Sequence, residues 1–218
     1  MKIRLFSTLL AAAACLFAQA AKDANANYQT KQAREKIVGR LLAHDREDTQ
    51  RPNDLVEAMS IAPNMTVADI GTGAGYMLPF LYGALGDGGK LIAEDIFPDF
   101  LEKAKERAKA ENLQNVTFVQ GTEKDPKLPE GGVDVALILD AYHHFDYPQD
   151  MLAGVRRGLN ANGRLVLVDF YQRGFQDPKH IRADEAQVVK EVEAAGFELI
   201  ATRPFTKDRQ YIAEFKKK

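Results

Sequence analysis

The sequence predicts an α/β fold: a doubly wound, mostly parallel sheet covered by helices on both faces. Three observations carry that prediction. Short apolar runs alternate with segments of helical period, the pattern of strands joined by crossover helices. The first two runs end in acids, and the first is followed by three alternating glycines, Gly71, Gly73 and Gly75. Near the C-terminus two strand-like runs, Phe197 to Arg203 and Gln210 to Phe215, are joined by a link too short for a helix, so they must pair antiparallel.

The 218 residues suit one domain. The first 20 are predicted to be a secretory signal, with Lys2 and Arg4 as the charged start, Leu5 to Ala18 as the apolar stretch and Ala18-Gln-Ala20 as the small-residue cleavage site. That stretch is short for a membrane span, so a cleaved signal ranks above an uncleaved anchor and the destination is periplasmic or secreted. A lipoprotein reading through Cys15 ranks second, because Ala12-Ala-Ala before it departs from the usual leucine-led pattern. Cleavage after Ala20 removes the only cysteine, leaving no disulfide or thiolate chemistry in the mature chain. Of 29 basic and 31 acidic residues, Lys2 and Arg4 are lost, taking the net charge from −2 to −4. No basic field for nucleic acid results, and Lys216 to Lys218 read as a solvated chain end.

Residues 21–52 read as a helical N-terminal extension, with Ala21 to Asn27 disordered and a helix over Gln32 to Leu42. The main domain, 53–218, opens on a helix from Asn53 to Ile61 with Asn53 as its N-cap. Val67 to Ile70 form the first strand, and Tyr76, Met77, Leu78, Phe80, Leu81 and Leu85 repeat with helical period after the glycines. Pro79 falls in the first helical turn, where its missing N–H costs little. Strand, glycine turn and helix, in that order, are what a nucleotide site needs. Lys90 to Asp95 form the second strand, and Pro98 opens a helix from Asp99 to about Asn112, with Asp99 as the expected cap. Asp95 follows Gly71 by 24 positions, close to the roughly 20 expected of a ribose-binding acid. Its carboxylate can accept both vicinal hydroxyls, and Glu94 carries less weight. A helix from Asp184 to Ala195, ended by Gly196, precedes the two final strands.

In these motifs and their order the chain resembles the class I S-adenosylmethionine-dependent methyltransferases, especially the bacterial group that methylates small molecules. The match runs from about Asp54 to Phe170 and more loosely to the C-terminus. The resemblance implies a Rossmann-like sheet of seven strands with one antiparallel strand at its C-terminal end, and S-adenosyl-L-methionine as cofactor. It implies that Asp69, Gly71, Gly73 and Gly75 surround the methionine part and that Asp95 binds the ribose, with Thr72, Tyr76 and Ile96 also among the cofactor-binding residues. Asn115 to Glu123 resembles the third strand and its exit, where the family often has an acid after the glycine to bind adenine. This chain has Thr122 there, with Glu123 or Asp125 as substitutes. Val133 to Phe145 resembles the fourth strand and its loop, in which paired histidines are frequent, and Asn160-Ala-Asn-Gly163 replaces the usual Lys-Pro-Gly-Gly before the fifth strand, Arg164 to Phe170. A leading segment in this family often lies over the cofactor mouth.

Asp140, His143 and His144, at the end of the fourth strand, are the catalytic candidates, since an imidazole of near-neutral pKa can take a proton from a hydroxyl or amine acceptor. The competing reading packs one histidine under the loop and leaves the other in solvent. Tyr76, Tyr142 and Phe145 offer ring faces to a sulfonium, although Phe145 reads first as core. His44 and His180 fall outside the strand tips, no metal-ligand spacing is present, and no metal is expected. A nicotinamide-dependent dehydrogenase is disfavoured because its fingerprint wants a third glycine where this chain has Tyr76. A small-molecule acceptor is expected. Export also sustains an alternative: a nucleoside-binding or catalytically degenerate protein that keeps the fold.

Overall fold

The computed structural model describes residues 20–207 and 209–218, so the signal reading of residues 1–19, Cys15 included, lies outside the described residues. A 3₁₀ turn over Ala24–Tyr28 leads into α1 (Lys31–Leu41), α2 (Arg46–Gln50) and α3 (Pro52–Ala58). Thr30 caps α1 by accepting from the Ala33 amide. This extension departs from expectation in three places. Residues 21–27 are not disordered: Ala21 and Ala24 are buried, and the amides of Ala20 and Ala21 both bond to Asp146. The short helix α2 carries no apolar period and was not foreseen. Asn53 does not cap α3, because Pro52 already occupies its first turn and Arg51 precedes it in the left-handed region at φ 51°.

The main domain then alternates β1 (Thr66–Ile70), α4 (Leu78–Leu85), β2 (Lys90–Asp95), α5 (Pro98–Ala110), β3 (Val116–Gln120), β4 (Val133–Leu139), α6 (Pro148–Gly158), β5 (Leu159–Phe170), α7 (Glu185–Ala194), β6 (Phe197–Pro204) and β7 (Gln210–Lys217). Asp99 is not the cap of α5. It lies in the first turn, where its charge suits the helix dipole and pairs with Arg34. Asn160 to Gly163 bulge out of the β4–β5 ladder, whose register jumps from Val133–Leu159 to Val135–Arg164, and Asn160 turns back to accept from the Asn162 amide.

The seven strands lie in the order β3-β2-β1-β4-β5-β7-β6, all parallel except β7. The antiparallel strand is therefore inside the sheet, between β5 and β6. Side-chain chemistry explains the placement: Tyr211, Ile212, Ala213 and Phe215 of β7 are buried, whereas β6 after Phe197 is largely exposed and suits an edge.

Two apolar layers hold the sheet. Period-2 alternation sends Val135, Leu137 and Leu139 to the α3–α4 side and Ala136 and Ile138 to the α6–α7 side. Burial on both faces is why β4 reads as a continuous apolar run. Strand order turns back between β1 and β4, and a doubly wound sheet opens a crevice outside the C-terminal strand ends at that point.

Candidate active site

A deep cleft occupies this crevice. Asp69, Gly71, Thr72, Gly73 and Tyr76 reach it from the end of β1, Asp95 and Ile96 from β2, and Thr122 and Glu123 from the loop after β3. Gly75 alone of the expected cofactor residues stays out of the wall. A Cβ there would meet the backbone of Ala104 in α5 at 3.1 Å, so this glycine lets the turn pack on a helix. Gly71, at φ 70°, has a different constraint: its Cβ would stand 2.7 Å from that of Ala141, closing the β1 exit against the β4 exit.

Three buried carboxylates surround the glycine turn. Asp69 accepts from the Thr72 hydroxyl at 2.7 Å, and Asp95 accepts from the amides of Gly73 and Phe97, both at 2.9 Å. Burial pushes both up to about 6; the Thr72 bond opposes this at Asp69, and the Phe97 and Gly73 amides oppose it at Asp95. Glu94, given less weight from sequence, is 1 % exposed and also lines the cavity. Its Oε2 accepts from the Gly71 amide, while its Oε1 is buried with no partner among the described residues. Burial and the neighbouring Asp95 charge raise its pKa well above the usual carboxylate range. Several negative groups and an unpaired acceptor in one water-poor cleft suit a ligand with positive charge and hydroxyl donors.

The extension covers this cleft. Tyr28 stacks on Phe97 and meets Phe100 edge-on, and the Arg34 guanidinium lies 4.5 Å from the Phe97 ring centre while bonding Asp99 at 2.8 Å. Arg46 lies 4.1 Å above the Tyr76 ring and reaches Asp140 at 3.4 Å. Burial, with the charges of Asp95 and Asp140, pushes the Tyr28 phenol up to about 12. Tyr28 and Arg46 escaped the sequence reading because neither belongs to a periodic segment.

Asp140 stands at the far wall, in the left-handed region at φ 53°, held by Arg46 and by the Gln210 side-chain amide. Burial, opposed by Arg46, raises its pKa to about 6. Both of its oxygens are engaged, and it stands between this cleft and a second, more open one. His144 lines both cavities and His143 lines the second. His143 is the packed ring of the competing reading, but His144 is not in solvent. His143 is 4 % exposed, with Nδ1 2.6 Å from a carboxylate oxygen of buried Asp169. His144 Nδ1 is 2.9 Å from the Asn25 side-chain oxygen, and burial and the neighbouring His143 charge lower its pKa well below the ordinary range. His180, expected far from the site, packs against both rings. Three of the four histidines thus come together although the sequence shows no metal-ligand spacing. Asp125, the other substitute for the adenine acid, turns outward to pair with Arg157.

Comparison with known proteins identifies the family and the fold. A family model described as a methyltransferase domain matches residues 61–216. The uncharacterized methyltransferase YcgJ of Bacillus subtilis is 29 % identical over 133 residues, covering 53 % of this chain and 50 % of its own. Arsenite methyltransferase of Halobacterium salinarum is 25 % identical over 168 residues, covering 72 % and 43 % respectively. The chain thus spans half the length or less of these two curated relatives. A crystal structure of an S-adenosylmethionine-dependent methyltransferase from Aquifex aeolicus superposes with a TM-score of 0.79 at 24 % identity, covering 84 % of this chain and 97 % of that one, which is a likeness of fold.

Proposed function

This chain belongs to the class I S-adenosylmethionine-dependent methyltransferase family, and from that membership we propose that it transfers a methyl group from S-adenosylmethionine to a small-molecule acceptor. The observation that carries the proposal is the convergence of Asp69, Glu94 and Asp95 on a side-chain-poor turn, with one buried oxygen left without a partner. On this proposal the methionine part lies against Asp69, Gly71 and Gly73, the ribose against Asp95, and adenine toward Thr122 and Glu123. The donor, when bound, supplies a methyl group already activated on a sulfonium.

The residues of this chain then have three tasks. Tyr28 and Arg46 keep water out of the cleft from above. The β1 and β4 exits, locked together at Gly71 and Ala141, fix the distance between donor and acceptor sides. Such positioning is worth on the order of 7 to 11 kcal/mol, against roughly 3 to 5 kcal/mol for a general base. Proton handling falls to His143, whose Nδ1 is occupied by Asp169 so that Nε2 is the nitrogen left to accept a proton from a hydroxyl or amine acceptor.

Export is part of the same proposal. Cleavage after Ala20 would make the Ala21 nitrogen an α-ammonium, and that nitrogen stands 3.1 Å from an Asp146 carboxylate oxygen beside the cleft. The alternative of a degenerate binding protein is disfavoured because Asp69, Glu94, Asp95 and the glycines of the β1 turn are in place, with Thr122 standing where the family often has an acid. Calorimetric titration with S-adenosylmethionine and S-adenosylhomocysteine tests the proposal. One binding site per chain is expected, and absence of heat at millimolar ligand would overturn it.

A further inference from the structure

We propose that His143, His144 and His180 bind one divalent transition-metal ion, of the zinc, cobalt, nickel or copper class, at the floor of the second cavity. One ligand nitrogen from each ring lies within 4.8 Å of the other two, and ring centres are 4.2, 5.1 and 5.3 Å apart. In a tetrahedral three-histidine site with metal–nitrogen bonds near 2.0 to 2.1 Å, the nitrogens stand about 3.3 Å apart. Closing the observed gaps asks each ring to move by less than about 1 Å on that geometry.

Support behind the rings is a second, independent observation. Asp169 accepts from the His143 amide at 3.0 Å and the Phe170 amide at 2.8 Å while holding His143 Nδ1. Carboxylates behind metal-bound histidines fix the tautomer in this way. The Asn25 amide donates to the His144 carbonyl at 3.0 Å and to Asp146 at 3.2 Å, so its oxygen is the atom that faces His144 Nδ1. Both rings are thereby set as Nδ1–H donors, with Nε2 lone pairs left over. His180 is held by stacking on Phe175 at 4.7 Å and 7°, a contact that consumes neither nitrogen.

Three imidazoles without a ligating carboxylate or thiolate select a borderline transition metal over calcium or magnesium. Among the described residues the site has three protein ligands, so a fourth position opens toward the cavity, as in catalytic zinc sites, for water or an acceptor's oxygen, nitrogen or sulfur. The site stands whether or not the chain transfers methyl groups. In the metal-bound chain Nε2 of His143 is ligated, so proton uptake there belongs to the metal-free state.

The test uses the untagged chain, stripped with chelator and titrated with Zn²⁺ by calorimetry and with Co²⁺ by visible absorption. One ion per chain and the intense absorption of tetrahedral Co²⁺ are expected. Asp169→Asn should weaken Zn²⁺ binding about 10- to 100-fold, His180→Ala should abolish the Co²⁺ band, and His44→Ala, at the exposed fourth histidine, should change neither. His180 lies in a 3₁₀ turn outside the sheet, so its variant keeps the test valid if Asp169→Asn folds poorly. Failure to bind a full equivalent of either ion, or binding that His180→Ala leaves intact, overturns the proposal.

Discussion

Replacing Asp95 by Asn removes a charge while preserving shape, and it separates the roles of that residue in folding and in binding. Each carboxylate oxygen of Asp95 accepts one backbone amide, Gly73 at 2.9 Å and Phe97 at 2.9 Å. Asn keeps one acceptor oxygen, so one amide loses its partner at a cost of about 1 to 3 kcal/mol. Against that, a carboxylate raised from 3.8 to about 6 carries about 3 kcal/mol of charging cost at neutral pH that Asn does not bear. The two nearly cancel. The unfolding midpoint should therefore stay within a few degrees of the parent, since about 1 kcal/mol moves a domain of this size by roughly 2 to 4 °C. Ligand binding has no such compensation: hydrogen bonds from ribose hydroxyls to a charged acceptor are worth about 1.5 to 3 kcal/mol, so Kd for S-adenosylhomocysteine should rise about 10- to 150-fold. Calorimetry for Kd and circular dichroism for the midpoint measure both quantities on one preparation. A folded variant with unchanged Kd would refute the placement of Asp95 against the ligand.

Three further outcomes follow from the same structure. Asp69, Asp95 and Asp140 are each raised by burial to about 6 from 3.8, so the folded chain binds protons more tightly than the unfolded chain between those values. These three groups should thus add stability to the ligand-free protein as pH falls from about 6 toward 4, against the loss that the lowered pKa of His144 causes below about 6.5, and a stability difference between the parent and Asp69→Asn that does not change with pH would contradict the assignment. Gly71→Ala, which meets Ala141 at 2.7 Å from a left-handed backbone, should destabilise by about 1 to 3 kcal/mol. Gly83→Ala, at an exposed position of α4 with nothing within 4 Å of its Cβ, should be neutral or stabilise by up to about 1 kcal/mol, and equal effects in the two would show that the turn is not constrained. Intact mass of the protein recovered from the periplasm or medium of an expressing bacterium should correspond to a chain beginning at Ala21, whereas a chain retaining residues 1–20 would end the export reading.

The parts of the fold written in local chemistry were legible before any coordinates. The β1 and β2 runs, the glycines between β1 and α4, and the link between β6 and β7 each obey a short-range rule, and they appear where periodicity and turn chemistry place them. Less legible were features decided by distant contacts. Gly75 looks like Gly71 in sequence, and only the approach of Ala104 assigns it to packing. Residues 21–27 are polar and small, but Asp146, more than a hundred residues away in the chain, orders them. Arg46 and Tyr28 gain their places from Tyr76 and Phe97, which sequence spacing does not connect. His180 illustrates the same limit most strongly: its neighbours in the chain give no ligand spacing, yet the loop between β5 and α7 returns it to His143 and His144. Small, polar or lone residues are underdetermined by their own segment because their partners come from elsewhere in the sheet.

Crystals grown with S-adenosylhomocysteine test the central claim most directly. Density for the nucleoside should fill the cleft, with its ribose hydroxyls on Asp95 and its amino-acid arm against Gly71 and Gly73. An empty cleft, or a nucleoside bound away from the ends of β1 and β2, would contradict it.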